Sequence, residues 1–142
     1  MKLKQMTGWT LFTDGASRGN PGEAGAGAYL VNGAGEEIGL RRYLGRVTNN
    51  QAEYAALLLC LKKLVAMGVK QVSIKADSQL MIRQLEGLYK VKSEDLLPLF
   101  LEAKQLLAHF EKVKVAHIPR EENKKADQLA NEAIDFNDDL SE

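Results

Sequence analysis

The sequence predicts an α/β fold, with a mixed five-stranded sheet flanked by helices in a single domain. Three observations predict it. Short runs of apolar, β-prone residues at 10–13, 25–31, 36–44, 72–76 and around Val113 and Val115 read as strands. Longer segments at 51–67, 78–85, 94–110 and 124–134 carry apolar residues at helical spacing. The two kinds alternate as β-β-β-α-β-α-α-β-α. Strands joined by short turns pair antiparallel, so the first three should form a meander. The last two, each reached through helices, should run parallel to the first.

Each element has a local reason. The first strand, 10–13, ends at Asp14 and is followed by Gly15-Ala16-Ser17-Arg18-Gly19-Asn20-Pro21-Gly22, whose density of Gly, Asn and Pro reads as a tight loop. Asn32-Gly33-Ala34-Gly35 is a hairpin turn signal between the second and third strands. The third strand is partly polar, as suits a sheet edge. In the first helix Leu57, Leu58, Leu61, Leu64 and Val65 make an apolar stripe, and Gly68 supplies the stop. Val72, Ile74 and Ala76 alternate up to Asp77. A loop is expected at 87–92, and Pro98 is tolerable in the first turn of the helix at 94–110.

Bulk properties set limits. A chain of 142 residues can bury a core without staples. Its single cysteine, Cys60, excludes an internal disulfide framework and points to a reducing, cytoplasmic location. No apolar run is long enough to span a bilayer, and the N-terminal lysines are not followed by the apolar stretch of a secretory signal, so no membrane partner is expected. Nineteen basic residues balance nineteen acidic ones. Zero net charge argues against nucleic-acid binding through a broad basic surface, but not against a nuclease whose metal ions supply positive charge. The domain is expected to occupy 1–135, followed by an acidic, disordered tail at 136–142.

Four carboxylates stand out. Asp14 and Asp77 each close a strand. If those strands are parallel neighbours, both side chains emerge at one end of the sheet, where ligands of open α/β sheets bind. Asp77 could equally be a helix cap, and Asp14 a turn former. Glu53 shares a helix face with Ala56, Leu57 and Cys60, so it points toward the sheet, where a carboxylate is costly unless paired or metal-bound. It could also close a capping box with Asn50 as cap. Asp127, one turn into the last helix, could simply complement the helix dipole. Four separate structural explanations thus compete with one metal site. Oxygen donors without a His/Cys cluster favour Mg²⁺ or Mn²⁺, and two such ions suit in-line phosphoryl displacement.

The surrounding residues carry a resemblance. Thr13-Asp14-Gly15-Ala16-Ser17-Arg18-Gly19-Asn20-Pro21-Gly22, Thr48-Asn49-Asn50-Gln51-Ala52-Glu53, Ala76-Asp77-Ser78-Gln79 and Asn123-Lys124-Lys125-Ala126-Asp127-Gln128-Leu129-Ala130 resemble, in order, the motifs of type I ribonucleases H. They span nearly the whole chain. The resemblance implies a sheet of order 3-2-1-4-5, two Mg²⁺ ions (Mn²⁺ substituting) held by Asp14, Glu53, Asp77 and Asp127, and a bridging role for Asp14. It implies endonucleolytic hydrolysis of the RNA strand of an RNA–DNA hybrid, leaving 5′-phosphate and 3′-hydroxyl ends, by a monomer. Gly15, Ala16, Ser17, Asn20 and Gln79 would read the 2′-hydroxyls that mark the RNA strand. Thr48 and Asn49 would meet the DNA strand.

Two departures bear on function. Only fifty residues separate Asp77 from Asp127, without a dense Lys/Arg run, so the basic handle of many bacterial members is missing. Its loss implies weaker hybrid selectivity, with double-stranded RNA as an additional substrate, and the chain leaves no room for a separate N-terminal hybrid-binding domain. His117, ten residues before Asp127, has the spacing of the family's auxiliary histidine. It also falls in phase with Val113 and Val115, as a packed strand residue would, leaving Arg120 as the other candidate to assist. Competing classes are an inactive nucleic-acid-binding module, an integrase-type strand transferase and a nonenzymatic domain. The first is disfavoured by the presence of all four carboxylates, the second by the Thr-Asn-Asn and Asp-Ser-Gln motifs, and the third by their coincidence.

Overall fold

A computed structural model describes residues 8–137 and 139–140. The N-terminal lysines discussed above, and residues 138, 141 and 142 of the expected tail, lie outside the described residues. The chain runs β1 (Trp9–Gly19), β2 (Gly22–Asn32), β3 (Glu37–Val47), α1 (Asn49–Ala66), β4 (Gln71–Ala76), α2 (Gln79–Leu85), α3 (Leu97–Leu107), β5 (Lys112–His117), a 3₁₀ turn (Arg120–Glu122), α4 (Lys124–Phe136) and β6 (Asp139–Leu140). The sheet order is β5-β4-β1-β2-β3-β6. β1, β2 and β3 form the antiparallel meander, while β4 and β5 run parallel to β1. The 3-2-1-4-5 order is therefore present, with one short strand added beyond β3.

Two segments differ from the sequence expectation. The stretch from Gly15 to Gly22 is not a loop. β1 continues through it to Gly19, pairing residue by residue with β2, and only Asn20 and Pro21 turn the chain. Small residues are weak strand formers by themselves, but here both faces of the hairpin receive helices at close range, which large side chains would forbid. The tail also differs. Phe136 closes α4, Asn137 takes a left-handed conformation (φ 51°), and Asp139 and Leu140 pair with Arg42 and Arg41 of β3. The open edge of β3 gives this polar segment a backbone partner that its composition did not reveal.

The main core lies between the sheet and α1, α2 and α3. Leu57, Cys60, Leu61 and Leu64 of α1 are fully buried, with Leu11, Leu30 and Ile74 of the sheet and Ile82 of α2. Each large side chain sealed in this way contributes about 1.5–3 kcal/mol of burial energy. α4 covers the opposite face with Ala126, Ala130 and Ala133. A Cβ added to Gly27 of β2 would lie 2.2 Å from the Ala126 carbonyl oxygen and 2.4 Å from the Ala130 nitrogen. This bare contact brings the first turn of α4, and with it Asp127, close to the centre of the sheet.

The strands have unequal lengths, and that difference creates the site. β4 pairs with β1 only from Trp9↔Val72 to Thr13↔Ala76, whereas β1 and β2 stay paired to Gly19↔Gly22. Beyond Thr13, β1 has no strand neighbour on its β4 side among the described residues. Asp14 is the first residue past that point, mid-way along β1 but level with the carboxyl end of its parallel neighbour β4, the end of an open sheet where ligands bind.

Candidate active site

The four carboxylates come from four elements and line one open cleft of about 510 Å³. Gly15 makes the arrangement possible. A Cβ there would lie 2.3 Å from both the Ala52 carbonyl carbon and the Glu53 nitrogen, so only glycine lets α1 rest on β1. The Gly15 N–H donates to Glu53 Oε1 at 2.7 Å.

The capping alternatives are resolved by other residues. Thr48, not Asn50, caps α1. Its hydroxyl accepts from the Gln51 N–H at 3.2 Å, and Gln51 Oε1 accepts from the Thr48 N–H at 2.9 Å. The capping box is thus complete without Glu53, which is 4% exposed and has Oε2 buried with no hydrogen-bond partner. Ser78 caps α2, accepting from the Met81 N–H at 3.2 Å, so Asp77 is left to the cleft. Asp127 does lie in the first turn of α4, where the helix dipole favours it, and it lines the cleft as well.

The nearest oxygens of Asp14, Glu53 and Asp77 lie within 4.8 Å of one another. Asp127 borders Asp14 from α4 without joining that mutual triangle. Burial, then the Glu53 and Asp77 carboxylates, push the Asp14 carboxyl far above the ordinary carboxylate range. Burial also raises Glu53, partly offset by its hydrogen bonds with Asp14 and Gly15, with Asp77 and Asp127 adding to the rise. Among the described residues no Lys or Arg forms an ion pair with any of the four. Clustered carboxylates without a counter-charge destabilise a fold unless a cation binds. The oxygen-only donor set and the unpartnered Glu53 Oε2 fit a hard divalent metal.

The remaining sequence candidates divide. Gly15, Ala16, Ser17, Asn49 and His117 line the cleft. The Ser17 hydroxyl lies against the carbonyls of Gly19 and Val47. Asn20 Oδ1 accepts from the Asn49 N–H at 3.1 Å, tying the hairpin tip to the start of α1. Thr48 is engaged in its cap, and Gln79 stands exposed at the start of α2; neither lines the cleft. His117 is exposed, not packed, and its Nε2 lies 3.2 Å from the Asp77 carbonyl oxygen. Arg120 lines the cleft beside it.

Three further residues shape the site without having been singled out in the sequence. Asn123 is 1% exposed and donates from Nδ2 to the Thr13 carbonyl at 2.8 Å, anchoring the loop before α4 to the residue preceding Asp14. Asn131 and Arg18 line the cleft next to Asp127. Asn131 lies four residues after Asp127 on a helix, a spacing that places two side chains together and was open to inspection in the sequence.

A sheet of this order, with carboxylates gathered on β1, just past the carboxyl end of β4 and near the start of two helices, defines the ribonuclease H-like class of fold and an acidic centre suited to metal. Comparison with known proteins agrees. The family model described as "Reverse transcriptase-like" matches residues 12–133. The ribonuclease HI of Halobacterium salinarum is 42% identical over 125 residues, covering 87% of this chain and 63% of the relative. The bifunctional protein Rv2228c of Mycobacterium tuberculosis is 40% identical over 127 residues, covering 88% of this chain but only 35% of the relative. The crystal structure of the Halobacterium RNase H1 superposes with a TM-score of 0.86 at 41% identity, covering 91% of this chain and 98% of the other. LC11-RNase H1, solved in complex with an RNA/DNA hybrid, gives a TM-score of 0.85 at 38% identity over 91% and 98% of the two chains. The chain belongs to the ribonuclease H family, in its type I branch.

Proposed function

We propose that this chain is a metal-dependent endoribonuclease that hydrolyses the RNA strand of RNA–DNA hybrids, leaving 5′-phosphate and 3′-hydroxyl ends. One observation carries the reading. Four carboxylates from β1, α1, the β4 end and α4 meet in one cleft, two of them buried, and among the described residues none of the four is ion-paired with a Lys or Arg. The hybrid bound to LC11-RNase H1 supports the choice of substrate.

Asp14, Glu53, Asp77 and Asp127 would hold two Mg²⁺ ions, for which Mn²⁺ can substitute. When bound, these ions supply Lewis acidity for in-line displacement at phosphorus. The protein's own groups do the rest. Gly15, through its N–H, keeps Glu53 aimed into the cleft. The backbone of Gly15, Ala16 and Ser17 lies along the cleft, where an RNA minor groove presents its 2′-hydroxyls, with Asn20 and Gln79 as further contacts. Asn49 at the cleft margin, with Thr48 beside it, meets the DNA strand. Water attacks phosphorus, the P–O3′ bond breaks, and the 3′-oxygen leaves with a proton. The exposed imidazole of His117, at the rim beside Asp77, would assist by carrying that proton, with Arg120 as the alternative, since both line the cleft.

We further propose a handle-less monomer, working in the cytoplasm, that also accepts double-stranded RNA. Cleavage of matched RNA–DNA, RNA–RNA and DNA–DNA duplexes, with and without Mg²⁺, tests the whole reading. The hybrid should be cut on its RNA strand only when metal is present. Metal-independent cleavage, or cleavage of DNA–DNA duplexes, would contradict it.

A further inference from the structure

Asp127 is held unlike its three partners. Asn131, one turn further along α4, donates from Nδ2 to Asp127 Oδ1 at 3.3 Å and to the Asp127 carbonyl at 3.0 Å. The other end of the same amide, Oδ1, accepts from Arg18 Nη2 at 3.3 Å. Arg18 Nη1 in turn pairs with Asp135 Oδ1 at 2.8 Å. The chain of contacts therefore runs Asp135–Arg18–Asn131–Asp127, from the outer end of α4 across β1 to the cleft.

We infer that Asn131 is a positioning residue for Asp127, locked in that role by Arg18 and Asp135. The chemistry of the groups requires the order. A guanidinium can only donate and an ionised carboxylate can only accept. A carboxamide is suited to stand between them, offering oxygen to one and N–H to the other. Arg18 thus decides which way the Asn131 amide faces, and that orientation turns its N–H groups toward Asp127. The effect is largest for Asp127 because it lies outside the tight triangle of Asp14, Glu53 and Asp77. It is half-buried on the first turn of a helix, where it has rotamers to lose. Groups that orient a metal ligand commonly change metal affinity or activity by about 10–100-fold when removed.

This inference rests on the reading of the carboxylates as a metal centre, and the test separates the two. Mn²⁺ is titrated calorimetrically into wild type, Asn131→Ala, Arg18→Ala and the double variant, with Asp14→Asn as control. Hybrid cleavage is followed across a Mg²⁺ series. Asn131→Ala should weaken Mn²⁺ binding about tenfold and raise the Mg²⁺ concentration for half-maximal rate in proportion, while KM for the hybrid at saturating metal stays within about twofold. Arg18→Ala should act in the same direction by a smaller factor, roughly threefold, because its ion pair is half exposed. The double variant should match Asn131→Ala, since Arg18 acts through that amide. Wild-type affinity for Mn²⁺ in a folded Asn131→Ala protein overturns the inference and leaves the metal centre intact. Multiplying effects of the two substitutions, or a rise in hybrid KM on losing Arg18, also overturn it, assigning Arg18 to the substrate instead. If Asn131→Ala does not fold, the Arg18→Ala isotherm decides. No Mn²⁺ binding by wild type overturns both readings.

Discussion

Asp14→Asn should make the metal-free protein more stable while abolishing its activity. The Asp14 carboxyl is 6% exposed and faces Glu53 and Asp77, and its affinity for protons is raised by burial and by those charges. A carboxyl whose folded pKa lies above its unfolded one binds more protons in the native state. Stability contributed by this group is therefore fully present below the unfolded value of about 4 and is lost as pH rises toward the folded value. An amide that relieves part of this burial and repulsion should stabilise the metal-free protein at pH 7 by on the order of 2–3 kcal/mol. For a domain of this size that is a rise in melting temperature of roughly 8–10 °C.

The assay is thermal unfolding in chelator at pH 7 and again near pH 4, with and without Mg²⁺. The gain should appear at pH 7 and become small near pH 4, where the carboxyl is protonated in the folded protein and about half protonated in the unfolded one. Saturating Mg²⁺ should close the gap, since a ligand at a hundred times its Kd stabilises wild type by about 2.7 kcal/mol. A variant less stable than wild type in chelator at pH 7, or a gain of equal size at both pH values, would refute the reasoning. So would appreciable Mg²⁺-dependent cleavage by the folded variant.

Gly15→Ala should destabilise the fold by about 3 kcal/mol and depress cleavage, because the new methyl meets the α1 backbone at 2.3 Å; a wild-type denaturant midpoint would contradict this. Thr48→Ala should cost about 1 kcal/mol through the lost cap, read as a lower midpoint with unchanged slope. Asn20→Ala and Gln79→Ala should weaken hybrid binding more than Mn²⁺ binding, and the reverse order would remove them from the substrate surface. Hybrid affinity measured with constant Ca²⁺ should fall with salt at a logarithmic slope on the order of two to four. Arg46, Lys90, Lys92 and Arg120, all exposed, are the expected phosphate contacts, and a steep slope would reveal a broader basic surface than these four side chains make.

Much of this was legible in the sequence because strand alternation and helical spacing are local. The meander, the parallel β4 and β5, the α1 stripe and the stop at Gly68 follow from neighbours a few residues apart. The extension of β1 to Gly19 was not legible. Its residues carry turn chemistry, and they are extended only because α1 and α4 close on both faces. Nor was β6, which exists through the open edge of β3. At the site, Glu53 was ambiguous because a capping box could be drawn on Asn50. Settling it required seeing Thr48 and Gln51 complete the box two residues earlier. His117 was ambiguous for a similar reason: strand phase says which way a side chain leaves the sheet, not whether anything covers it.

The geometry shows why this centre tolerates so much uncompensated charge. The acidic groups are not distributed over the core but concentrated where β1 outruns β4, at an edge already lacking backbone partners. The contacts that bring them together are made of the smallest residues in the chain: Gly15 against α1, and Gly27 against Ala126 and Ala130. Such contacts involve little side-chain ordering and leave few ways for the helices to yield, so repulsion among the carboxylates is opposed by close-packed backbone rather than by flexible side chains. The large apolar side chains that stabilise the molecule lie in the core between the sheet and α1 to α3, away from the charge. It follows that removing a carboxylate should stabilise the apo-protein, whereas enlarging a glycine beneath it should destabilise both apo- and metal-loaded forms. Opposite signs for Asp14→Asn and Gly15→Ala, one residue apart, are the signature of this division of labour.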